Sequence, residues 1–197
     1  MDLRPAILAD LPALYEVCLR TGDAGEDASA LFDDPDLLGS VYVGPYVALT
    51  GTIALAGVDG EGVGAYVLAA IDTAEFEAAC EREWWPALRE RYPLAEPRSG
   101  RRDHEPVAHI HRPPTMPESV VERYPAHLHI DLLPRMQGGG NGRRMIEALV
   151  AELQEAGAPG VHLGVAAANG RAIGFYEHLG FNTLHEDATG RLMGRRW

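Results

Sequence analysis

Between positions 127 and 166 the chain carries a strand, a glycine-rich turn, a helix and a second strand in direct succession, an order that few folds accept. Leu128, Ile130 and Leu132 alternate with His127, His129 and Asp131, which is the period-two pattern of a strand. Gln137-Gly138-Gly139-Gly140-Asn141-Gly142 supplies the turn. Met145, Ile146, Leu149, Val150 and Leu153 then follow at helical spacing until Gly157 and Pro159 stop them. Residues 161–166 form a second apolar strand. Right-handed crossover makes the two strands parallel, so the chain is read as α/β. The turn leaves main-chain amides pointing outward at the positive end of a helix, which suits an anion and above all a phosphate.

The rest of the chain is less regular. Asp10 is placed to cap a helix over 11–19, where Leu11, Leu14, Tyr15, Val17 and Cys18 keep helical spacing. Residues 22–36 carry Asp23, Glu26, Asp27, Asp33, Asp34 and Asp36 with no base, which reads as a loop or a short helix with an acidic face. Two β-rich runs, 52–58 and 63–71, flank Asp59-Gly60-Glu61-Gly62 as in a hairpin. Phe76, Cys80, Trp84 and Leu88 fall at four-residue steps, one helical stripe; Pro86 inside it predicts a kink or two abutting helices. Residues 92–117 hold six prolines, Pro97 among them, and the pair Arg101-Arg102, the composition of a lid, a binding loop or a disordered connection. Within it 107–111 alternates and reads as a candidate strand. Asn169 can cap a helix through Ile173, Phe175, Tyr176 and Leu179, and β-like segments near 181–184 and 191–196 close the chain. With no repeat and no second core, residues 1–197 read as one domain with an insertion at about 72–123.

Charge removes several functions. Seventeen Arg, no Lys and 29 acids give a net charge of −12, so a nucleic-acid backbone or an anionic membrane surface is not an expected partner. No apolar run approaches the ~20 residues of a spanning helix. Cys18 and Cys80 make no disulfide framework, and the N-terminus lacks an export signal, so a cytoplasmic location is expected.

Three readings of the glycine turn compete. A P-loop needs a Lys, and the chain has none; the dinucleotide fingerprint counted from Gly138 would need glycine where Arg143 stands. Gln/Arg-x-x-Gly-x-Gly/Ala is satisfied by Gln137, Gly140 and Gly142. Taken alone, that pattern is explained equally well by a tight turn that needs positive φ.

A second run adds to it. Asn169-Gly170-Arg171-Ala172-Ile173-Gly174-Phe175-Tyr176-Glu177-His178-Leu179-Gly180-Phe181 resembles the second signature of the GNAT N-acetyltransferase superfamily, and the glycine turn after Leu132-Leu133-Pro134 resembles the first. Leu3-Arg4-Pro5-Ala6 with Asp10-Leu11-Pro12 is similar to a typical GNAT start. Glu83-Trp84-Trp85-Pro86, residues 124–134 and Leu192-Met193-Gly194-Arg195 resemble a bacterial branch similar to the acetyltransferase-like C-terminal domain of animal O-GlcNAcase.

The resemblance implies a GNAT fold: a mixed sheet of about six to seven strands, splayed parallel central strands, flanking helices, and here a helical, proline-rich insertion. It implies acetyl-CoA as acetyl donor, held by backbone near Leu132, Leu133 and Pro134, by Gln137, by the amides of Gly138, Gly139, Gly140, Asn141, Gly142 and Arg143, and by Asn169. It implies Tyr176 as the acid that protonates the departing thiolate. For the base, Asp131 is the first candidate and His129 the second, since both lie on one face of the central strand. Alternating positions on one strand do not arrange a tetrahedron, so no metal is expected. The acceptor is expected to be an amine, a cationic one if the acidic stretch at 23–36 steers it. A homodimer is left open, as is a non-catalytic acetyl-CoA-binding module.

Overall fold

The computed structural model describes residues 1–94, 96 and 99–197. Seven strands form one mixed sheet in the order β1-β2-β3-β4-β5-β7-β6: β1 (Asp2–Pro5), β2 (Thr52–Asp59), β3 (Gly62–Ala70), β4 (Ala126–Leu132), β5 (Gly160–Ala166), β6 (Asn182–Glu186) and β7 (Gly190–Arg196). All neighbours run antiparallel except β4 and β5, the parallel pair expected of the crossover. That pair is short. Ala126 meets Val161 and His127 meets His162, and beyond them the two strands part.

Each face of the sheet buries its own core. Under one face lie α1 (Leu11–Leu19), α2 (Leu37–Tyr42) and α3 (Gly44–Ala48), with the insertion helices packed beside them; Leu14, Val17, Leu37, Tyr66, Leu68 and Ile110 fill that layer. Under the other lies α8 (Asn141–Glu155), whose Met145, Ile146, Leu149, Val150 and Leu153 are all buried, with α9 (Gly170–His178) at its side. Gly142 sets how closely these two helices approach, because a Cβ there would lie 3.1 Å from Phe175 Cζ.

The insertion between β3 and β4 is helical. Its elements are α4 (Thr73–Ala79), α5 (Trp85–Arg91), α6 (His104–His111) and α7 (Glu118–Val121). A wide π turn, Cys80–Trp84, joins α4 to α5 just before Pro86, so two helices abut there. The turn holds one residue more than an α turn, and the buried stripe slips with it. Phe76 and Cys80 are buried as the spacing predicts, but Trp85 rather than Trp84 follows them inward. Trp84 is half-buried and donates from Nε1 to the Ser40 carbonyl at 2.8 Å.

Two further expectations are corrected. Residues 107–111 are not a strand but lie in α6, because Val107 and Ile110, three apart, share one buried face. Asp10 is the residue before α1 but does not cap it through its side chain. Its carboxylate instead pairs with both terminal nitrogens of Arg4, at 2.7 and 2.8 Å, and accepts from the Ile7 amide. Of the insertion's prolines, Pro97 lies outside the described residues.

Candidate active site

Where β4 and β5 part, residues 129–132 keep β3 on one edge and, among the described residues, have no strand on the other. Successive residues of a strand aim their amides and carbonyls at opposite edges, so part of this set faces the seam unpaired. A cavity of about 680 Å³ opens there, lined by Ile130, Asp131 and Leu132 of β4, the glycine turn, the start of α9 and the loop after α1.

Three successive glycines of the turn are left-handed. Gly138, Gly139 and Gly140 have φ of 80°, 57° and 78°, values that an L side chain resists. A Cβ at any of them would meet nothing within 4 Å, so the backbone there is open on its outer side. The Asn141 amide closes the turn on the Gly138 carbonyl, and the Asn141 side chain donates to the Met136 carbonyl at 2.9 Å. The amides of Gly138, Gly139, Gly140, Gly142 and Arg143 have no backbone acceptor among the described residues. The last two belong to the first turn of α8, where the helix offers none. Five free donors and a helix N-terminus form a cradle for a polyanion, and they fit the diphosphate of coenzyme A.

The cavity gathers most of the expected residues: Asp131, Leu132, Gln137, Gly138, Gly140, Asn141, Gly142, Arg143, Asn169 and Tyr176. Several are already engaged. Gln137 donates from Nε2 to the Leu132 carbonyl at 2.9 Å, bracing the turn against the strand. Arg143 pairs with Glu147 at 3.2 Å. Asn169 caps α9 by accepting from the Ala172 amide at 3.0 Å while also lining the cavity. Gly139, Leu133 and Pro134 do not line it. The Leu133 side chain is buried in the α1 layer and its amide donates to the Gly64 carbonyl at 2.9 Å; Pro134 has no amide. The free edge therefore ends at Leu132.

Asp131 and Tyr176 face each other electrostatically across this space. Burial pushes the Asp131 carboxyl up to about 6, against hydroxyl donation from Tyr66. Tyr66 is buried directly opposite on β3 and donates to Oδ2 at 2.5 Å. Tyr176 is 8% exposed, and burial, helped by the Asp131 charge, raises its phenol, so it is protonated at neutral pH.

His129 goes elsewhere. It lines a second cavity of about 520 Å³, on the same face of β4, together with His127, His162 and His109, a group that periodicity alone did not bring together. His127 is saturated: Tyr46 Oη lies 2.6 Å from Nε2 and Thr73 Oγ1 lies 2.7 Å from Nδ1. The Thr73 hydroxyl donates to the Pro125 carbonyl, so Nδ1–H donates to Thr73 and Nε2 accepts from Tyr46. No such partner reaches either ring nitrogen of His129 among the described residues, and burial lowers it to about 4.

The acidic stretch borders the first cavity through Asp23 and Glu26, and much of it is paired. Arg102 binds Asp23 at 3.0 Å, Arg101 binds Asp33 at 2.9 Å, and Arg91 binds Asp34 at 3.1 Å and Asp36 at 3.7 Å. No helix among the described residues is long and apolar enough to cross a membrane.

The acetyltransferase (GNAT) family model matches residues 66–181. Rat and mouse protein O-GlcNAcase are each 23% identical over 180 residues, a match that takes in 90% of this chain and 20% of theirs. The chain thus spans a fifth of the length of these curated relatives. Among solved structures, SsHAT superimposes with a TM-score of 0.87 at 37% identity, covering 99% of this chain and 97% of its own. The PaiA N-acetyltransferase of Thermoplasma acidophilum, solved in complex with coenzyme A, has a TM-score of 0.57 at 13% identity, with 100% and 98% covered. The yncA protein of Salmonella typhimurium, solved with its cofactor acetyl-CoA, has a TM-score of 0.57 at 16% identity, with 100% and 93% covered. At those identities the likeness is one of fold.

Proposed function

The chain belongs to the acetyltransferase (GNAT) family, and from that premise we propose that it transfers the acetyl group of acetyl-CoA to a primary amine that attacks the thioester directly. Acetyl-CoA supplies the activated acetyl carbon. One observation carries the reading: the edge of β4 at 130–132, the turn residues Gly138, Gly140, Gly142 and Arg143 with unpaired amides, and two groups able to move protons, Asp131 and Tyr176, all line one cavity.

Each group has a task. The turn from Gly138 to Arg143 holds the diphosphate, and the free edge of β4 as far as Leu132 pairs with the pantetheine arm. Asn169 borders the same arm. Tyr176 donates its proton to the departing sulfur; the burial that raises the phenol raises the proton affinity of a thiolate beside it as well, so the two stay matched. Asp131 accepts the proton lost by the amine, directly or through water, and its upward shift makes it a better base near neutral pH than an ordinary carboxylate. His129, two residues back and ~6.6 Å along the strand, is the second candidate.

Calorimetry with CoA and acetyl-CoA, followed by thiol release across an amine library, tests the assignment. Binding with turnover on at least one amine supports it. Binding without turnover on any amine would make the chain an acetyl-CoA-binding module, and no binding of either ligand would remove the whole reading.

A further inference from the structure

We propose that the second cavity receives the acceptor and is built for a primary aromatic amine, one whose amino group sits directly on a planar ring. This rests on the acetyl-transfer reading above. The cavity begins where the first one ends. Leu128 and His129 of β4 and Leu163 and Gly164 of β5 line it, on the side where the two strands have parted. His129 shares a face with Asp131, so an amine beside the imidazole stands next to the seam that holds the acetyl group.

The walls are flat. Tyr46 stacks on Phe76 at 4.5 Å between centroids, and His109 meets Trp85 edge-on at 5.8 Å and Tyr42 at 5.7 Å. Such surfaces accept a planar body through offset and edge contacts. Of the imidazoles, His127 is saturated and His162 Nδ1 lies 2.8 Å from the Tyr124 carbonyl, whereas His129 and His109 have no hydrogen-bond partner among the described residues. Burial holds both of these neutral, so each offers one acceptor nitrogen to an amino hydrogen.

Charge decides against an ammonium. Among the described residues the cavity has no arginine; of its two carboxylates Glu81 is paired with Arg89 through two bonds of 2.7 Å, while Glu77 accepts from the Met116 amide at 3.0 Å. No carboxylate acts on His129 or His109, so an ammonium placed between them would meet two neutral rings and suffer the same desolvation that keeps them neutral. An amine bonded to an aromatic ring arrives uncharged with its lone pair free. In the step, that lone pair forms the C–N bond to the acetyl carbon as the C–S bond breaks. The sulfur takes the Tyr176 proton, the nitrogen loses one to Asp131, and solvent returns the proton from Asp131 to Tyr176. The products are an aryl acetamide and CoA.

The test compares p-toluidine with cyclohexylamine and spermidine at saturating acetyl-CoA and neutral pH. A kcat/KM for p-toluidine about 100-fold or more above both others is expected. Equal or better turnover of either aliphatic amine overturns the inference while leaving acetyl transfer standing. If no amine is turned over, calorimetry on the CoA-loaded protein still decides: p-toluidine should bind about tenfold tighter than cyclohexylamine, and equal binding overturns the assignment. Gly164→Leu fills the mouth where a Cβ meets nothing within 4 Å. It should raise the KM or Kd for p-toluidine about tenfold with CoA affinity unchanged. Should Gly164→Leu weaken CoA as well, His109→Leu carries the same expectation, and an unchanged p-toluidine constant in it counts against the cavity.

Discussion

The hydroxyl of Tyr66 donates to Asp131 at 2.5 Å between residues that face each other across β3 and β4. The bond stabilises the ionised carboxylate in a place where burial works against it, and the carboxyl settles near 6. As a base Asp131 works ionised, so the rate should rise with pH through that region. Removing the donor with Tyr66→Phe disfavours the ionised form and should move the acidic limb of the kcat/KM profile up by ~1 pH unit. A limb that does not move would take Asp131 out of the proton transfer.

The same shift bears on stability. Asp131 holds its proton more tightly folded than unfolded, so its contribution is fully present below the unfolded value of 3.8 and lost as pH rises through about 6. Asp131→Asn, which still accepts from Tyr66, should therefore stabilise the fold by ~1–3 kcal/mol above pH 7 and by little near pH 4. Thermal melts at the two pH values check this, and a gain that does not depend on pH would contradict it.

Tyr176→Phe keeps the ring among Phe175 and Phe181 and removes the hydroxyl that carries the proton. Turnover should fall by ~10²–10³ with acetyl-CoA affinity within about twofold of wild type. A variant with unimpaired thiol release would show that solvent protonates the sulfur.

Gly140→Ala forces a side chain onto a φ of 78° and should cost ~1–2 kcal/mol of stability, with CoA affinity falling about tenfold as the cradle distorts. Gly60→Ala, in the β2–β3 turn with open space around it, serves as the control and should change neither quantity. Equal CoA affinity in both would separate the glycine turn from the diphosphate.

Arg91, Arg101 and Arg102 already pair with Asp34, Asp36, Asp33 and Asp23. Acceptor KM should therefore be the same at low and high salt, because little of this acidic field is left to steer a ligand. A KM that rises steeply with salt would restore the cationic acceptor suggested by composition.

What the sequence made legible was local. The alternation at 127–132 and the stripe from Met145 to Leu153 each repeat over enough residues to have one reading, and the glycine turn gained one only from the run at 169–181. Residues 107–111 do not, because five positions satisfy a strand's alternation and the i,i+3 pair Val107 and Ile110 equally well. The slip from Trp84 to Trp85 comes from a π turn with no marker of its own beyond the nearby Pro86. The place of His129 was out of reach for a different reason. Its cavity is assembled from α2, α3, α4, α6, the segment after α6 and two strands, and no window of sequence contains them together.

Pairing across the middle of the sheet stops at His127 and His162, leaving a strand border bare inside the molecule. A bare border on the outside would be a template on which another copy could add a strand and begin to aggregate. Here α9 and the loop after α1 line the space in front of it. The protein can thus keep an unsatisfied main-chain ribbon for a slender guest without offering it to its own kind.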